Sequence, residues 1–168
     1  MNIDAASQKS REHKPAVYLA GAIENAPNEG KAWREKLTPF LEDIIGHQVF
    51  NPCVEENHLL TAEEFLEFRN WKVSDLPRFR RTMRKIIDTD LGALAGKTDY
   101  LVCLWDEHAL KGAGTHGELT LAYYLNLPVY MVSTVPREEM SSWIVGCTTE
   151  LFSHFEDLRA YLLEHSAL

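Results

Sequence analysis

The stretch YLVCLWDEHALKGAGTHGELTLAYYLNLPVYMVS, residues 100–133, decides the fold. It begins with an almost wholly apolar run at residues 100–105 and ends with another at residues 128–133. Between them lie the glycine-rich loop KGAG, residues 111–114, and an apolar segment with helical character, residues 115–126. A strand, a glycine loop, a helix and a second strand in this order predict one unit of a parallel α/β sheet.

Patterns on either side of this unit predict the other elements. Short apolar runs predict three further strands, at residues 16–20, 48–50 and 149–153. Helical spacing or capping signals predict helices at residues 31–45, 61–70, 78–95, 138–143 and 154–165. Residues 71–77 are predicted to be irregular, and Ile44 and Ile87 are predicted to lie on the buried faces of their helices. The alternation predicts a doubly wound, mainly parallel α/β sheet of about five strands, flavodoxin-like or Rossmann-like, with helices on both faces.

Length and composition limit the classes of protein. The chain of 168 residues has a formal net charge of −8, which does not attract a polynucleotide. Its three cysteines form no metal-ligand pair and no disulfide framework, which favours a reducing cytoplasm. The polar N-terminus has no signal-peptide pattern, and no apolar run is long enough to span a membrane. We predict a disordered lead-in at residues 1–14 and a single domain at residues 15–168.

Glu118 is the first candidate for a functional residue. It is predicted to lie in the first turn of the helix after the glycine loop, at the edge of the sheet where open α/β proteins bind ligands. A carboxylate at a helix start is commonly a simple stabilising charge, worth about 0.3–1 kcal/mol. In a cleft that a sugar can enter, the same carboxylate can attack the anomeric carbon or stabilise positive charge there.

Two other residues could share that cleft. Tyr18 lies near the carboxyl end of the first strand, where it could orient a carboxylate, although a tyrosine there is commonly part of the core. Asp88 and Asp90 lie towards the end of the long helix. Asp90 borders the apolar stripe of that helix and is the better candidate, with Asp88 as its rival.

Other chemistry has weaker support. The basic cluster of residues 78–85 is typical of a solvated helix face, and His108 and His116 form no metal set with nearby cysteines or carboxylates. The chain has no GxSxG nucleophile elbow and no Walker motif. We therefore predict no metal site.

Four segments in order resemble the nucleoside 2-deoxyribosyltransferase family and its nucleotide N-glycosidase relatives. They are VYLAGAI (17–23), DLGAL with TDYLVCLW (90–94 and 98–105), GTHGELTLAYYLNLPVYMV (114–132) and MSSWIVGCTTELF (140–152). The third is the most specific, because it is similar to the segment that carries the family's catalytic Glu. The resemblance extends over about residues 16–160.

The resemblance implies a function and a set of site residues. Glu118 would attack the anomeric carbon of a (2′-deoxy)nucleoside or nucleotide and release the base, and a second base or water would then take the sugar. Tyr18 would hold the Glu118 carboxylate, and Asp90 would contact the base or assist proton transfer to it. The substrate pocket would be lined by residues of both loops, namely Gly21, Ile23, Gly112, Gly114 and Thr115. The resemblance further implies no cofactor, a cytoplasmic role in purine or pyrimidine salvage, and a homodimer or higher homo-oligomer.

The sequence also departs from the family. Transferases acting on free nucleosides often have an Asp six residues before the catalytic Glu, and the nucleotide hydrolases have a small hydroxyl residue there, whereas this chain has Gly112. The stretch that completes a neighbouring subunit's site in transferases is replaced by Cys147-Thr148-Thr149. Two alternatives therefore stay open, a non-catalytic nucleotide-binding or sensing domain and an NAD glycohydrolase.

Overall fold

The computed structural model describes residues 13–165 and contains a sheet of five parallel strands. The strands are β1 (Ala16–Gly21), β2 (Gln48–Phe50), β3 (Tyr100–Trp105), β4 (Val129–Ser133) and β5 (Glu150–Phe152). The α-helices are α1 (Lys31–Pro39), α2 (Pro52–Leu59), α3 (Ala62–Ser74), α4 (Leu76–Lys97), α5 (Ala113–Tyr124), α6 (Ser142–Gly146) and α7 (Phe155–His165). Residues 1–12 of the predicted lead-in lie outside the described residues.

The strand order is β2-β1-β3-β4-β5, and every pair in the sheet is parallel. The predicted doubly wound α/β fold is thus confirmed. From β1 the chain goes first to one side, to β2, and then to the other side, to β3. The order therefore switches between β1 and β3, where open sheets of this kind bind ligands beyond the carboxyl ends of the strands.

Alternate residues of each strand face opposite sides of the sheet. Tyr18 and Ala20 of β1 pack with residues of α4, α5 and α6, whereas Val17 and Leu19 pack with residues of α1 and α7. This period of two follows from strand geometry. Helices on both faces explain why the strands are apolar throughout, since neither face meets water.

A third apolar cluster joins α3 and α4 away from the sheet. Leu60, Phe68, Trp71 and Ile86 are buried in it. A capping box starts α3, because the Thr61 hydroxyl accepts from the backbone N–H of Glu64 and the Glu64 carboxylate accepts from the N–H of Thr61. This cluster holds the two helices together at the side of the sheet that carries the β1–β3 switch.

Several sequence predictions for this region and its neighbours were wrong in detail. Helix α2 was not predicted, and the segment expected to be irregular is almost entirely helical, because α3 runs to Ser74 and α4 starts at Leu76. The short helix predicted at residues 138–143 is a 3-10 turn, Arg137–Glu139, followed by α6. Ile44 and Ile87 are exposed, and the neighbouring Ile86 is buried instead, because α4 packs on α3 as well as on the sheet.

None of the helices among residues 13–165 combines the length and the apolar character that crossing a bilayer requires.

Candidate active site

Tyr18 and Glu118 meet at the switch point between β1 and β3. The Tyr18 hydroxyl donates a hydrogen bond of 2.8 Å to Oε1 of Glu118. The ring of Tyr18 is completely buried and stacks on Phe50 of β2, with ring centroids 5.1 Å apart. A residue of the first strand therefore fixes the position of a carboxylate that follows it by 100 residues.

Glu118 does not occupy the first turn of its helix, as the sequence analysis expected. Helix α5 starts at Ala113 and has no acidic residue in its first turn, so Glu118 lies in the second turn. The helix dipole acts mainly on the first turn, and a capping charge therefore explains Glu118 less well. Its side chain is half-buried, beside the buried Tyr18.

Burial raises the pKa of the Glu118 carboxyl above its ordinary value, and the hydrogen bond from Tyr18 and the positive charge of Arg34 offset only part of this rise. The two opposing effects have a chemical consequence. A desolvated carboxylate is a better nucleophile than a hydrated one, provided that nearby groups keep it ionised. Burial also raises the pKa of Tyr18 well above its ordinary value, so its hydroxyl stays a donor.

A cavity of about 160 Å³ opens beside this pair. Glu118 lines it, as do all the residues that the resemblance placed in a substrate pocket, namely Gly21, Ile23, Gly112, Gly114 and Thr115. These residues come from the β1–α1 loop and from the start of α5. The structure therefore brings the two predicted loops together around one cavity, although their contact with a substrate remains a prediction.

Asp90 lines this cavity, whereas Asp88 is exposed and is not among the lining residues. Phe79, Met83, Ile86 and Asp90 all face the cavity from α4, at spacings of four, three and four residues. Burial, and then the charges of Glu118 and Glu56, raise the pKa of Asp90 to about 8, against a smaller lowering by Arg34. At neutral pH this carboxyl therefore carries a proton and can act as a donor.

Arg34 is a residue that the sequence analysis missed. It is completely buried, and it donates to the carbonyl oxygens of Leu19 (3.3 Å), Gly30 (2.9 Å) and Gly21 (2.9 Å). It therefore ties both ends of the β1–α1 loop together and places a positive charge beneath the cavity. The sequence did contain a sign of its importance. Arg34 lies three residues before Leu37 on the buried stripe of α1, where a charged residue is unusual.

At the end of the loop that Arg34 holds, Gly30 lies very close to the backbone of Ala22. Gly30 has a φ of +64°, and a Cβ built there would lie 2.2 Å from the carbonyl oxygen of Ala22. Only glycine fits this position without a shift of the backbone. Gly30 and Arg34 therefore fix the shape of the loop whose residues 21–25 line the cavity.

Glu56 and Arg69 also line the cavity and were not predicted. Glu56, on α2, is only 8% exposed, and burial raises the pKa of its carboxyl. Arg69, on α3, lies 3.8 Å from Glu56 and 3.4 Å from Glu29, measured between guanidinium nitrogens and carboxylate oxygens. No periodicity marks Glu56, since α2 has no distinct apolar face.

The remaining candidates lie elsewhere. His116 bonds through Nδ1 to the carbonyl oxygen of Gly112, and His108 lies beside Glu107. In the basic cluster, Arg78 stacks on Trp71 and Lys85 pairs with Glu64. Among the described residues, no group of three or more His, Cys, Asp and Glu side chains is arranged to hold a metal ion.

The solved structures that are similar to this chain include two from bacteria. One is a 2-deoxyribosyltransferase from the psychrotolerant bacterium Bacillus psychrosaccharolyticus, with a TM-score of 0.64 at 20% identity over 87% of this chain and 91% of that one. The other is a conserved protein from Enterococcus faecalis V583, with a TM-score of 0.62 at 15% identity over 90% and 99% of the two chains. No family model and no curated protein matches the sequence. At these identities the likeness shows the fold alone. For the fold, it confirms the resemblance to the 2-deoxyribosyltransferases that the sequence indicated.

Proposed function

We propose that this protein cleaves the N-glycosidic bond of a nucleoside or nucleotide through a covalent sugar–Glu118 intermediate. The observation that carries the proposal is the 2.8 Å hydrogen bond from Tyr18 to Glu118 beside a cavity that also contains Asp90. A nucleophilic carboxylate held by a buried donor and a second carboxyl that keeps its proton are the two groups that a retaining glycosidic displacement needs. The fold shared with a 2-deoxyribosyltransferase supports the proposal.

The first displacement forms a bond between a carboxylate oxygen of Glu118 and the anomeric carbon of the sugar. The bond from that carbon to the base nitrogen breaks, and its electron pair stays on the base. Asp90, which is protonated at neutral pH because its pKa is about 8, donates its proton to the base. In the second displacement a new base or water attacks the same carbon and frees Glu118. Asp90 recovers a proton from the attacking group, and two inversions give net retention.

Tyr18 acts on Glu118 rather than on the substrate. Its hydrogen bond lowers the pKa of the carboxyl and selects one orientation of the carboxylate. Arg34 adds a buried positive charge that favours the ionised form. Together they oppose the desolvation that would otherwise keep Glu118 protonated.

A substrate screen tests the proposal. The protein is incubated with the common deoxynucleosides, ribonucleosides, their 5′-monophosphates and NAD, with and without a second free base, and free base and new nucleoside are followed by chromatography. We expect base release, and base exchange if a transferase is at work. Acid-quenched samples analysed by intact mass are expected to show one sugar added to the wild type and none to Glu118→Ala.

The alternatives predict different results. Saturable binding in calorimetry without any product would indicate a binding or sensing domain instead of an enzyme. Release of nicotinamide from NAD alone would indicate an NAD glycohydrolase. The homo-oligomer implied by the resemblance is checked separately, by light scattering coupled to size-exclusion chromatography.

A further inference from the structure

We infer that the cavity accepts an uncharged nucleoside and rejects a substrate that carries a 5′-phosphate, and that Glu56 is the main determinant of this choice. The inference rests on the proposed function, which does not specify whether the substrate carries a 5′-phosphate. It follows from the charges that line the cavity and from the partners that these charges already have.

Acidic side chains dominate the lining of the cavity. Glu24, Glu56, Asp90 and Glu118 line it, and Arg69 is the only Lys or Arg that does so among the described residues. A phosphate carries up to two negative charges, and like charges brought together at a binding site weaken binding strongly. Lys111, the basic residue of the glycine-rich loop, is exposed and does not line the cavity.

Arg69 already lies beside two carboxylates. Its Nη1 lies 3.4 Å from Glu29 and its Nη2 lies 3.8 Å from Glu56, while its Nε is buried without a hydrogen-bond partner. Two carboxylates therefore share one guanidinium group. A phosphate would have to take Arg69 from both of them and leave Glu56 buried without its cation, which is costly.

The other nearby cations are engaged as well. Lys72 lies 2.6 Å from Glu24, and Lys31 lies 2.6 Å from Glu29. Arg34 is completely buried, and its guanidinium group donates to three backbone carbonyls. Within residues 13–165, no Lys or Arg that lines the cavity lacks a carboxylate partner.

The start of α5 favours an anion, because its free N–H groups and helix dipole provide a partial positive charge. Asp90 lines the same cavity, and burial and then the charges of Glu118 and Glu56 raise its pKa to about 8. The acidic side chains that disfavour a negative charge on Asp90 also disfavour a phosphate beside it.

Among the lining residues, Glu56 has the strongest influence on the charge of the cavity. It is only 8% exposed, its charge reaches Asp90, and it holds Arg69. Glu56→Gln keeps the shape of the side chain, removes one negative charge and releases one bond of Arg69. It is therefore expected to turn this wall of the cavity from acidic towards basic.

The experiment compares each deoxynucleoside with its own 5′-monophosphate by kcat/KM for base release. We expect the nucleoside to be preferred by at least about 100-fold in the wild type, and the preference to fall about tenfold in Glu56→Gln. Glu42→Gln is the matched control, because it makes the same charge change at an exposed position of the chain outside the cavity. It is expected to keep the wild-type ratio.

The outcomes separate this inference from the proposed function. Cleavage of monophosphates as fast as nucleosides would overturn the inference and leave the proposed function intact, and an unchanged ratio in Glu56→Gln would overturn the role of Glu56. If neither class is cleaved, the proposed function fails and calorimetry decides the inference. Binding of a nucleoside but not of its monophosphate would then support it, and binding of the monophosphate, or of neither, would contradict it.

Discussion

Two of the cavities at the carboxyl edge of the sheet differ in almost every respect. The larger, about 940 Å³, lies beyond β4 and β5 and is lined by residues that include Arg137, Glu138 and His154, all of them exposed. The smaller, about 160 Å³, lies beyond β1 and β3 and contains Glu118 and Asp90, both at least half-buried. By volume the larger cavity would be the candidate active site, whereas the buried carboxyl groups make the smaller cavity the candidate.

The difference shows what makes a crevice reactive. A charge in an open crevice is hydrated and interacts weakly, whereas a carboxyl removed from water is held by a few specific partners that can tune its pKa. Only the smaller cavity lies at the switch in strand order, where β1 and β3 diverge to different neighbours. Substitutions in the two cavities test whether reactivity follows burial rather than volume.

The largest effect is expected for Glu118→Gln, compared with Glu138→Gln in the larger cavity. Glutamine keeps the size of the side chain but cannot attack the anomeric carbon, so kcat/KM for base release is expected to fall by about a thousandfold or more. Glu138→Gln is expected to leave it unchanged. Equal losses in the two variants, or full activity in Glu118→Gln, would show that the site has been placed in the wrong cavity.

Arg34→Met is expected to affect both stability and activity. Loss of a buried guanidinium that bonds three carbonyls is expected to lower the free energy of unfolding by about 3 kcal/mol in chemical denaturation. The pKa of Glu118 also rises, so the acidic limb of the pH–rate profile moves to higher pH. Arg159→Met, which removes a 3.2 Å bond to the carbonyl of Lys36 far from Glu118, is expected to leave that limb in place.

Tyr18→Phe removes a single donor and is expected to reduce kcat/KM by about 10- to 100-fold. A hydrogen bond to a charged group contributes about 1.5–3 kcal/mol, and here it also helps to keep Glu118 ionised. Steady-state kinetics with Tyr130→Phe, on β4, which β3 separates from β1, provide the comparison. A loss of the same size in both tyrosine variants would mean that Tyr18 acts through packing alone.

Asp90→Asn tests the buried carboxyl through the pH dependence of stability. The folded pKa of Asp90, about 8, is raised from an ordinary value of 3.8, so the folded state binds the proton more tightly. The wild type therefore loses stability as the pH rises from about 4 to about 8. Relative to the wild type, Asp90→Asn is expected to gain about 2 kcal/mol in free energy of unfolding over that range, because partial hydration reduces the full effect.

Asp88→Asn is the control for this measurement, since Asp88 is exposed one turn or less from Asp90 on α4. Its free energy of unfolding is expected to follow the wild type at every pH. The same pair of variants separates the two aspartates in catalysis, because only Asp90→Asn is expected to slow base release. A pH-dependent gain in Asp88→Asn instead would reverse the assignment.

The smallest effect is expected for Gly112→Ala. A Cβ at Gly112 would meet only Nδ2 of Asn25, at 3.8 Å, and the backbone conformation there suits any residue. The thermal midpoint is expected to change by less than about 2 °C. Gly30→Ala, which would place its Cβ 2.2 Å from the carbonyl of Ala22, is expected to lower the midpoint clearly and provides the contrast.

The sequence analysis was most successful where the signal is local. The strands, the glycine loop and α5 were predicted close to their observed bounds, because an apolar run between turn residues identifies a buried strand without reference to the rest of the chain. It was least successful at α2 and at the α3–α4 connection. These helices pack on one another as well as on the sheet, so their apolar residues do not form one simple stripe.

The residues of the candidate site also differ in whether a local sequence signal identifies them. Glu118 could be found from its place after a glycine loop, and Tyr18 from its place near the end of a strand. The packing of α4 and α5 decided the rest. It places the Tyr18 hydroxyl 2.8 Å from Glu118, and it makes Asp90, and not Asp88, line the cavity beside them. Glu56 had no local signal at all, because it reaches the cavity only through the orientation of α2.

The sequence by itself determined the five strands in their order along the chain, the parallel sheet and the carboxylate at position 118, since hydrophobic period and turn chemistry depend on neighbouring residues. Only the tertiary structure decided which groups surround that carboxylate, which of them are charged, and which cavity is the acidic one. The physical reason is that desolvation and Coulomb interactions depend on distances between residues remote in the chain, and packing alone sets those distances.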